Sequence, residues 1–304
     1  MKRLIILCLF ISQIATAQNF VSFLDIATSW GKTTEINLVP ASTTISFTML
    51  EGMMVVEATV NQQKGNFIID TGAPTLVLNQ QPTVNTQLTG RGISEGLIAD
   101  EVVVQEFHWS GIRKKNVAAF KVDISHLEKI SGQNLAGIIG YDILKEVELL
   151  VDYHTQTVQL SPVKAPKTKE PLAIIPFTMQ AHLPVIKVKI GKKKFRLALD
   201  TASESNILDK KILRKLDKTL LSNHKIGEIQ GVDQQIKEVQ VATIHQTAIR
   251  ELSFDNMAYL FTDLSHLKSD SGLYIDGLLG YPFFKQGKLS INYQEKKIYV
   301  WEMD

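Results

Sequence analysis

A chain of 304 residues, 44% hydrophobic and 21% charged, is long enough for two cores of ordinary size. Its formal net charge of +2 excludes a global electrostatic pull toward nucleic acid or an anionic membrane. The single cysteine, Cys8, excludes a disulfide framework.

The N-terminus reads Lys2-Arg3, an apolar run from Leu4 to Ile14, then Ala15-Thr16-Ala17 before Gln18. This pattern predicts a secretory signal peptide over residues 1–17, cleaved near Ala17, and so an extracytoplasmic chain, periplasmic or secreted. The run is shorter than the ~18 to 20 residues of a membrane span, and no later stretch reaches that length, so no span is expected in the mature chain. Cleavage would also remove Cys8, leaving no thiol nucleophile. Residues 18–43 carry mixed signals and read as a leader that adds at most an edge strand.

An internal repeat organises the rest. Ile45-Ser46-Phe47-Thr48-Met49 matches Ile175-Pro176-Phe177-Thr178-Met179 at an offset of 130 (175 − 45). That offset also superposes Asp70 on Asp200. Asp123-Ile124-Ser125-His126-Leu127 matches Asp263-Leu264-Ser265-His266-Leu267 at an offset of 140 (263 − 123), and the same offset carries Gly137-Ile138-Ile139-Gly140-Tyr141 onto Gly277-Leu278-Leu279-Gly280-Tyr281. Alternating apolar positions at the start of each copy predict strands joined by hairpin turns at Asn61 to Gly65 and Gly191 to Lys194. The expected domains are β-rich lobes over residues 44–160 and 174–304. The Pro- and Lys-rich stretch 161–173 reads as an exposed linker. Short helices are expected near Asp209 to Lys218 and Asp142 to Glu146.

The chemistry concentrates in Phe67-Ile68-Ile69-Asp70-Thr71-Gly72-Ala73-Pro74. Three β-prone apolar residues deliver a carboxylate to the buried end of a strand, where Gly72 and Pro74 turn the chain. Burying an acid there costs free energy unless something pairs with it or uses it. Leu197-Ala198-Leu199-Asp200-Thr201-Ala202-Ser203 repeats the design.

Each Asp-Thr motif, followed by its apolar-Gly motif, resembles the active-site turn and later apolar-Gly segment of the aspartic proteases, closest to the retropepsin-like group. Together the two copies of the resemblance cover nearly all of the expected mature chain. It implies a mainly all-β fold of two retropepsin-like β-barrel lobes in one pepsin-like bilobal chain, with Asp70 and Asp200 catalytic between them. By the same resemblance Thr71 and Thr201 would cross-link the lobes, and Gly72, Ala73, Ala202 and Ser203 would support the carboxylates. Two adjacent carboxyls share a proton and can activate a water to hydrolyse a peptide bond, with no cofactor and no metal. Ala202 stands where the family usually has glycine. If φ there is positive, its methyl costs about 1 to 2 kcal/mol, and if φ is negative it costs little. A Ser203 hydroxyl donating to Asp200 would favour the charged form, whereas Ala73 offers Asp70 nothing similar, so Asp200 is expected to be the ionised partner and Asp70 the protonated one. Gly90, Arg91, Gly92 and Ile93, with Ser94 to Gly96, are candidates for a substrate-covering hairpin or an ordinary mobile one, and Gly227 to Asp233 correspond to them.

The expected partner is a peptide or protein substrate, and a site completed within one chain needs no second copy, so a monomer is expected. The alternative is a non-catalytic module that binds extended peptides in the same cleft. His126 and His266 recur in both copies, which fits one inherited structural role better than a metal site. Trp109, Trp301 and Phe283-Phe284 read as packing residues, and Arg113-Lys114-Lys115 and Lys192-Lys193-Lys194 as solvated hairpin tips.

Overall fold

The computed structural model describes residues 4–5, 36–37, 41–81, 88–90, 97–230, 236–265, 267 and 272–303. Strands Met53–Val60 and Gln63–Ile69 form an antiparallel hairpin turned by Asn61 and Gln62, with φ of 48° and 69°. Two successive positive φ values match the twist of the flanking strands, and asparagine tolerates that region well. The second strand carries Phe67, Ile68 and Ile69, all buried, straight into Asp70.

Gly137–Ile139 lies between the strand before Asp70 and the strand after its turn. It runs parallel to Phe67–Ile69 and antiparallel to Leu76–Asn79. The approach is so close that a Cβ on Gly137 would sit 1.9 Å from the carbonyl oxygen of Val77. Leu76–Asn79 pairs in parallel with Ile112–Val122, which folds back on Leu97–Trp109. That strand returns to Met53–Val60 through Thr59 and Val60 and closes a six-stranded barrel.

In the C-terminal half, Leu183–Ile190 and Lys193–Leu199 form the corresponding hairpin, turned at Gly191 with φ of 55°. Gly277–Leu279 again runs parallel to the strand before the aspartate and antiparallel to Asn206–Asp209. A Cβ on Gly277 would meet the Ile207 carbonyl at 2.0 Å. These contacts explain why both apolar-Gly motifs begin with glycine.

A separate six-stranded sheet joins the halves in the order Ala173–Pro176, Lys297–Met303, Gly287–Asn292, Val147–Asp152, Thr157–Pro162, Thr43–Ser46. Its central ladder pairs Leu149 with Ile291. Beside it, buried Glu148 accepts hydrogen bonds from Ser290 Oγ (2.8 Å) and Asn292 Nδ2 (2.9 Å) and pairs with Lys167. An apolar cluster crosses the same boundary, from Phe67, Phe107 and Trp109 to Leu199, Phe283 and Phe284. Each such fully buried side chain contributes roughly 1.5 to 3 kcal/mol.

Several local expectations change. The region Asp209 to Lys218 holds only one α-helical turn, Lys210–Leu213, capped by Asp209, before a 3₁₀ turn at Lys218–Leu220. Tyr141–Leu144 is the short helix expected near Asp142, and Ser125–Ser131 is a helix the sequence reading did not assign. Lys114 is not a solvated tip: it lies within strand Ile112–Val122, is buried, and donates to the Asp142 carbonyl (2.6 Å) and to Glu146 (3.2 Å). The stretch 161–173 is partly docked rather than fully exposed, with Val163 buried and Lys167 Nζ 4.4 Å from the centroid of the Tyr299 ring. From the leader, Ile36–Asn37 adds a two-residue edge strand against Lys114 and Arg113. Leu4–Ile5 pairs with Ile229–Gln230, and the rest of the expected signal peptide lies outside the described residues.

Candidate active site

The strand ends and apolar-Gly segments place two turns face to face. The Asp70 N–H donates to the Ile139 carbonyl and the Asp200 N–H to the Leu279 carbonyl, each at 3.0 Å. The next residues brace one turn against the other. Thr71 and Thr201 each donate a backbone N–H to the other's Oγ1, both at 3.1 Å. Their hydroxyls then donate outward across the boundary, Thr71 to the Leu199 carbonyl (3.1 Å) and Thr201 to the Ile69 carbonyl (2.9 Å). Both threonines are fully buried, so four hydrogen bonds sheltered from water cross between the halves beneath the carboxyls.

The carboxyls themselves are buried and held by N–H groups two residues on. Gly72 N–H donates to Asp70 Oδ1 at 2.6 Å, and Ala202 N–H to Asp200 Oδ1 at 3.0 Å. Asp70 Oδ1 and Asp200 Oδ2 lie 3.0 and 3.1 Å from one point, the place a Cβ on Gly72 would take, so the two carboxyls are close neighbours. No N–H or hydroxyl among the described residues reaches Asp70 Oδ2. Burial, and after it the adjacent Asp200 carboxyl, hold Asp70 well above the usual carboxylate range, while the N–H groups of Gly72 and Ala73 pull the other way. Burial and the neighbouring carboxyl both favour the protonated form of Asp70.

The hydroxyl donation expected to favour a charged Asp200 is not observed. Ser203 Oγ donates to the Ser205 carbonyl at 2.7 Å, which commits its only proton away from Asp200. The concern over Ala202 also resolves, because it is not among the residues with positive φ. Its methyl lies with Ala73, Leu50 and Met53 in one apolar cluster. At Gly72 the situation differs: a Cβ there would lie 3.0 Å from Asp70 Oδ1 and 3.0 Å from Asp200 Cγ.

Of the hairpin candidates, Gly90 ends strand Leu88–Gly90, which pairs antiparallel with the start of Leu97–Trp109 through Gly90 and Leu97. Arg91, Gly92 and Ile93 lie outside the described residues. In the C-terminal half Leu221–Gln230 and Ile236–Ile244 form a hairpin whose tip, 231–235, also lies outside them. His126 is buried at the start of helix Ser125–Ser131, and His266 lies outside the described residues.

The structure adds residues to the site beyond the expected catalytic and supporting ones. Tyr153 packs edge-on against Tyr281, with centroids 5.2 Å apart, and Tyr293 against Tyr141 at 5.1 Å. Burial first, then the nearby Tyr141, Asp70 and Asp200, raise the Tyr293 hydroxyl well above its ordinary range, and Tyr153 is raised by burial, Tyr281 and Asp200. These four tyrosines recur at an offset of 140 (281 − 141 and 293 − 153), a signal present in the sequence. His182 is the other addition, with its Nε2 2.8 Å from the Gly72 carbonyl. Its counterpart at an offset of 130 is Gly52, so the repeat gave no sign of it.

Residues 186–283 match the sequence model of a family described as aspartyl protease, which supports a place in the aspartic protease superfamily. The matched span contains Asp200 and the second apolar-Gly motif. No curated protein matches the chain.

Proposed function

We propose that this chain is an aspartic endopeptidase, built from two retropepsin-like lobes at 44–160 and 174–304 joined by residues 161–173. The observation that carries the reading is the pair of buried, neighbouring carboxyls, Asp70 and Asp200, on two cross-braced turns. Two carboxyls in contact cannot comfortably both ionise, so near neutral pH the pair holds one proton. Asp200, as the ionised partner, takes a proton from a water as its oxygen attacks the peptide carbonyl. The proton on Asp70 hydrogen-bonds the carbonyl oxygen as charge develops there. Asp200 then returns its proton to the leaving nitrogen as the C–N bond breaks.

Gly72, Ala73, Ala202 and Ser203 shape the turns around the pair, and the Gly90 hairpin is the candidate cover for the cleft. The substrate is a peptide or protein. The chain would act as a monomer, outside the cytoplasm, after cleavage near Ala17. Among the described residues no helix is long and apolar enough to cross a membrane. The competing reading, a peptide-binding module without activity, drew on strain at Ala202, and the backbone conformation there removes that support.

The test is a peptide library from acid to neutral pH, with wild type beside Asp70→Asn and Asp200→Asn. Wild-type cleavage lost in both variants is expected. Cleavage that survives either substitution, or none by wild type at any pH, defeats the reading.

A further inference from the structure

The hairpin Leu183–Ile190/Lys193–Leu199 has an outer face that its N-terminal counterpart does not share. Lys187 pairs across the ladder with Arg196, and Lys189 with Lys194; all four side chains are exposed. Like charges directly opposite one another on one sheet face destabilise it. At an offset of 130 the N-terminal hairpin carries Glu57 opposite Asn66 and Thr59 opposite Lys64, and there Glu57 and Lys64 form a 2.8 Å ion pair. The same scaffold thus holds a balanced face in one copy and four cations in the other. None of the four has an ion-pair partner among the described residues.

Three of these cations, Lys187, Lys189 and Lys194, border a concavity. A groove of about 510 Å³ runs between segment Ile175–Thr178 and this hairpin. Lys187, Lys189, Lys194 and Arg250 line it over an apolar floor that includes Phe177, Val185 and Val188, and no carboxylate lines it. Arg250 alone has an acidic neighbour, Glu251, at 3.5 Å, and both are more than half exposed. One wall continues into Ala173–Pro176, the outermost strand of the joining sheet, with Leu172 and Ile174 exposed beside it.

We propose that this groove is a docking site, separate from the aspartate pair, for an extended acidic polypeptide segment. Acidic side chains would separate the opposed cations, and an extended backbone suits a narrow groove beside an open strand edge. A bilayer surface fits less well, because the lining is concave. A single-stranded nucleic acid would want exposed aromatic faces, and the one lining aromatic, Phe177, is buried.

The test reads binding, not cleavage, so it stands apart from the endopeptidase reading. A fluorescent glutamate-rich peptide, a glutamine-rich peptide of equal length and phosphatidylglycerol vesicles are titrated onto wild type. The same titrations use the triple variant Lys187→Glu/Lys189→Thr/Arg196→Asn, which gives this face the residues of the N-terminal copy. The acidic peptide should bind wild type, weaken as salt rises from about 0.05 to 0.3 M, and lose at least about tenfold in affinity in the variant. The variant should melt no lower than wild type, since its opposed cations are gone. The proposal is overturned if the acidic peptide binds no better than the glutamine-rich one, if the triple variant binds it as tightly, or if only the vesicles bind.

Discussion

The imidazole of His182 donates its Nε2–H to the carbonyl of Gly72, 2.8 Å away in the turn that carries Asp70. A carbonyl only accepts, so the hydrogen bond fixes the tautomer and leaves Nδ1 unprotonated in the neutral ring. Burial lowers His182 from 6.5 to about 4, with the Gly72 carbonyl opposing the shift. The folded state prefers the neutral ring, so the contribution is complete above pH 6.5 and is lost as pH falls toward 4. It amounts to at most about 3 kcal/mol. His182→Gln keeps a donor and removes the titration. Melting temperature measured from pH 7 to 4 should therefore fall more in wild type than in the variant, and parallel curves would refute this role.

Asp142 acts with the opposite sign over nearly the same window. Burial raises it from 3.8 to about 6, with the cation of buried Lys114 opposing the shift. Its contribution to stability is complete below pH 3.8 and is lost as pH rises through 6. Asp142→Asn should accordingly remove a destabilisation of at most about 3 kcal/mol at pH 7 and leave stability near pH 4 little changed. Chemical denaturation at the two pH values measures this, and an equal effect at both would contradict it.

Gly72 and Ala202 occupy matching positions but should respond unequally to exchange. In Gly72→Ala the new methyl meets both carboxyls at 3.0 Å, so the pair must shift by a few tenths of an ångström. A loss of at least about tenfold in kcat is expected with the fold intact, since small misplacements at a reacting centre are costly. Ala202→Gly removes a buried methyl at a backbone conformation alanine already accepts. It should cost about 1 kcal/mol in stability and leave kcat within a few-fold. Equal kinetic effects from the two substitutions would show the crowding argument to be wrong.

The threonine brace predicts coupling. Thr71→Val and Thr201→Val each leave a buried N–H without its Oγ1 acceptor and a carbonyl without its donor, at about 2 to 4 kcal/mol apiece. Because both hydroxyls brace the same two turns, losing either lets the turns relax apart, and the double variant should lose less than the two losses summed. Thr→Ser at either position keeps the hydroxyl and should retain most of the stability. Additive losses in denaturant titrations would mean the two sites act independently.

Much of this site is legible in the chain because its parts are local. Asp70 and Asp200 follow short apolar strands, and positions 137 and 277 must be glycine because a Cβ there would sit 1.9 and 2.0 Å from a carbonyl oxygen. A repeat then names the partner of each part. His182 was not legible, because its acceptor is 110 residues away and its counterpart is a glycine. The Ser203 expectation failed for a related reason: a hydroxyl proton goes to whichever acceptor the backbone presents, and here the Ser205 carbonyl is nearer in sequence. Lys114 looked like part of a basic tip, and only the packing of the helix Tyr141–Leu144 region against its strand shows why a cation is buried there.

The joining sheet bears on what a break in the chain would do. Val147–Asp152 and Gly287–Asn292 lie side by side, and Glu148 reaches from one to Ser290 and Asn292 of the other. The covalent connection through residues 163–172 is therefore only one of the ties between the halves, alongside a backbone ladder, a buried polar network and the threonine brace. A chain nicked within that connection should run as one particle on gel filtration, its two fragments parting only in denaturant.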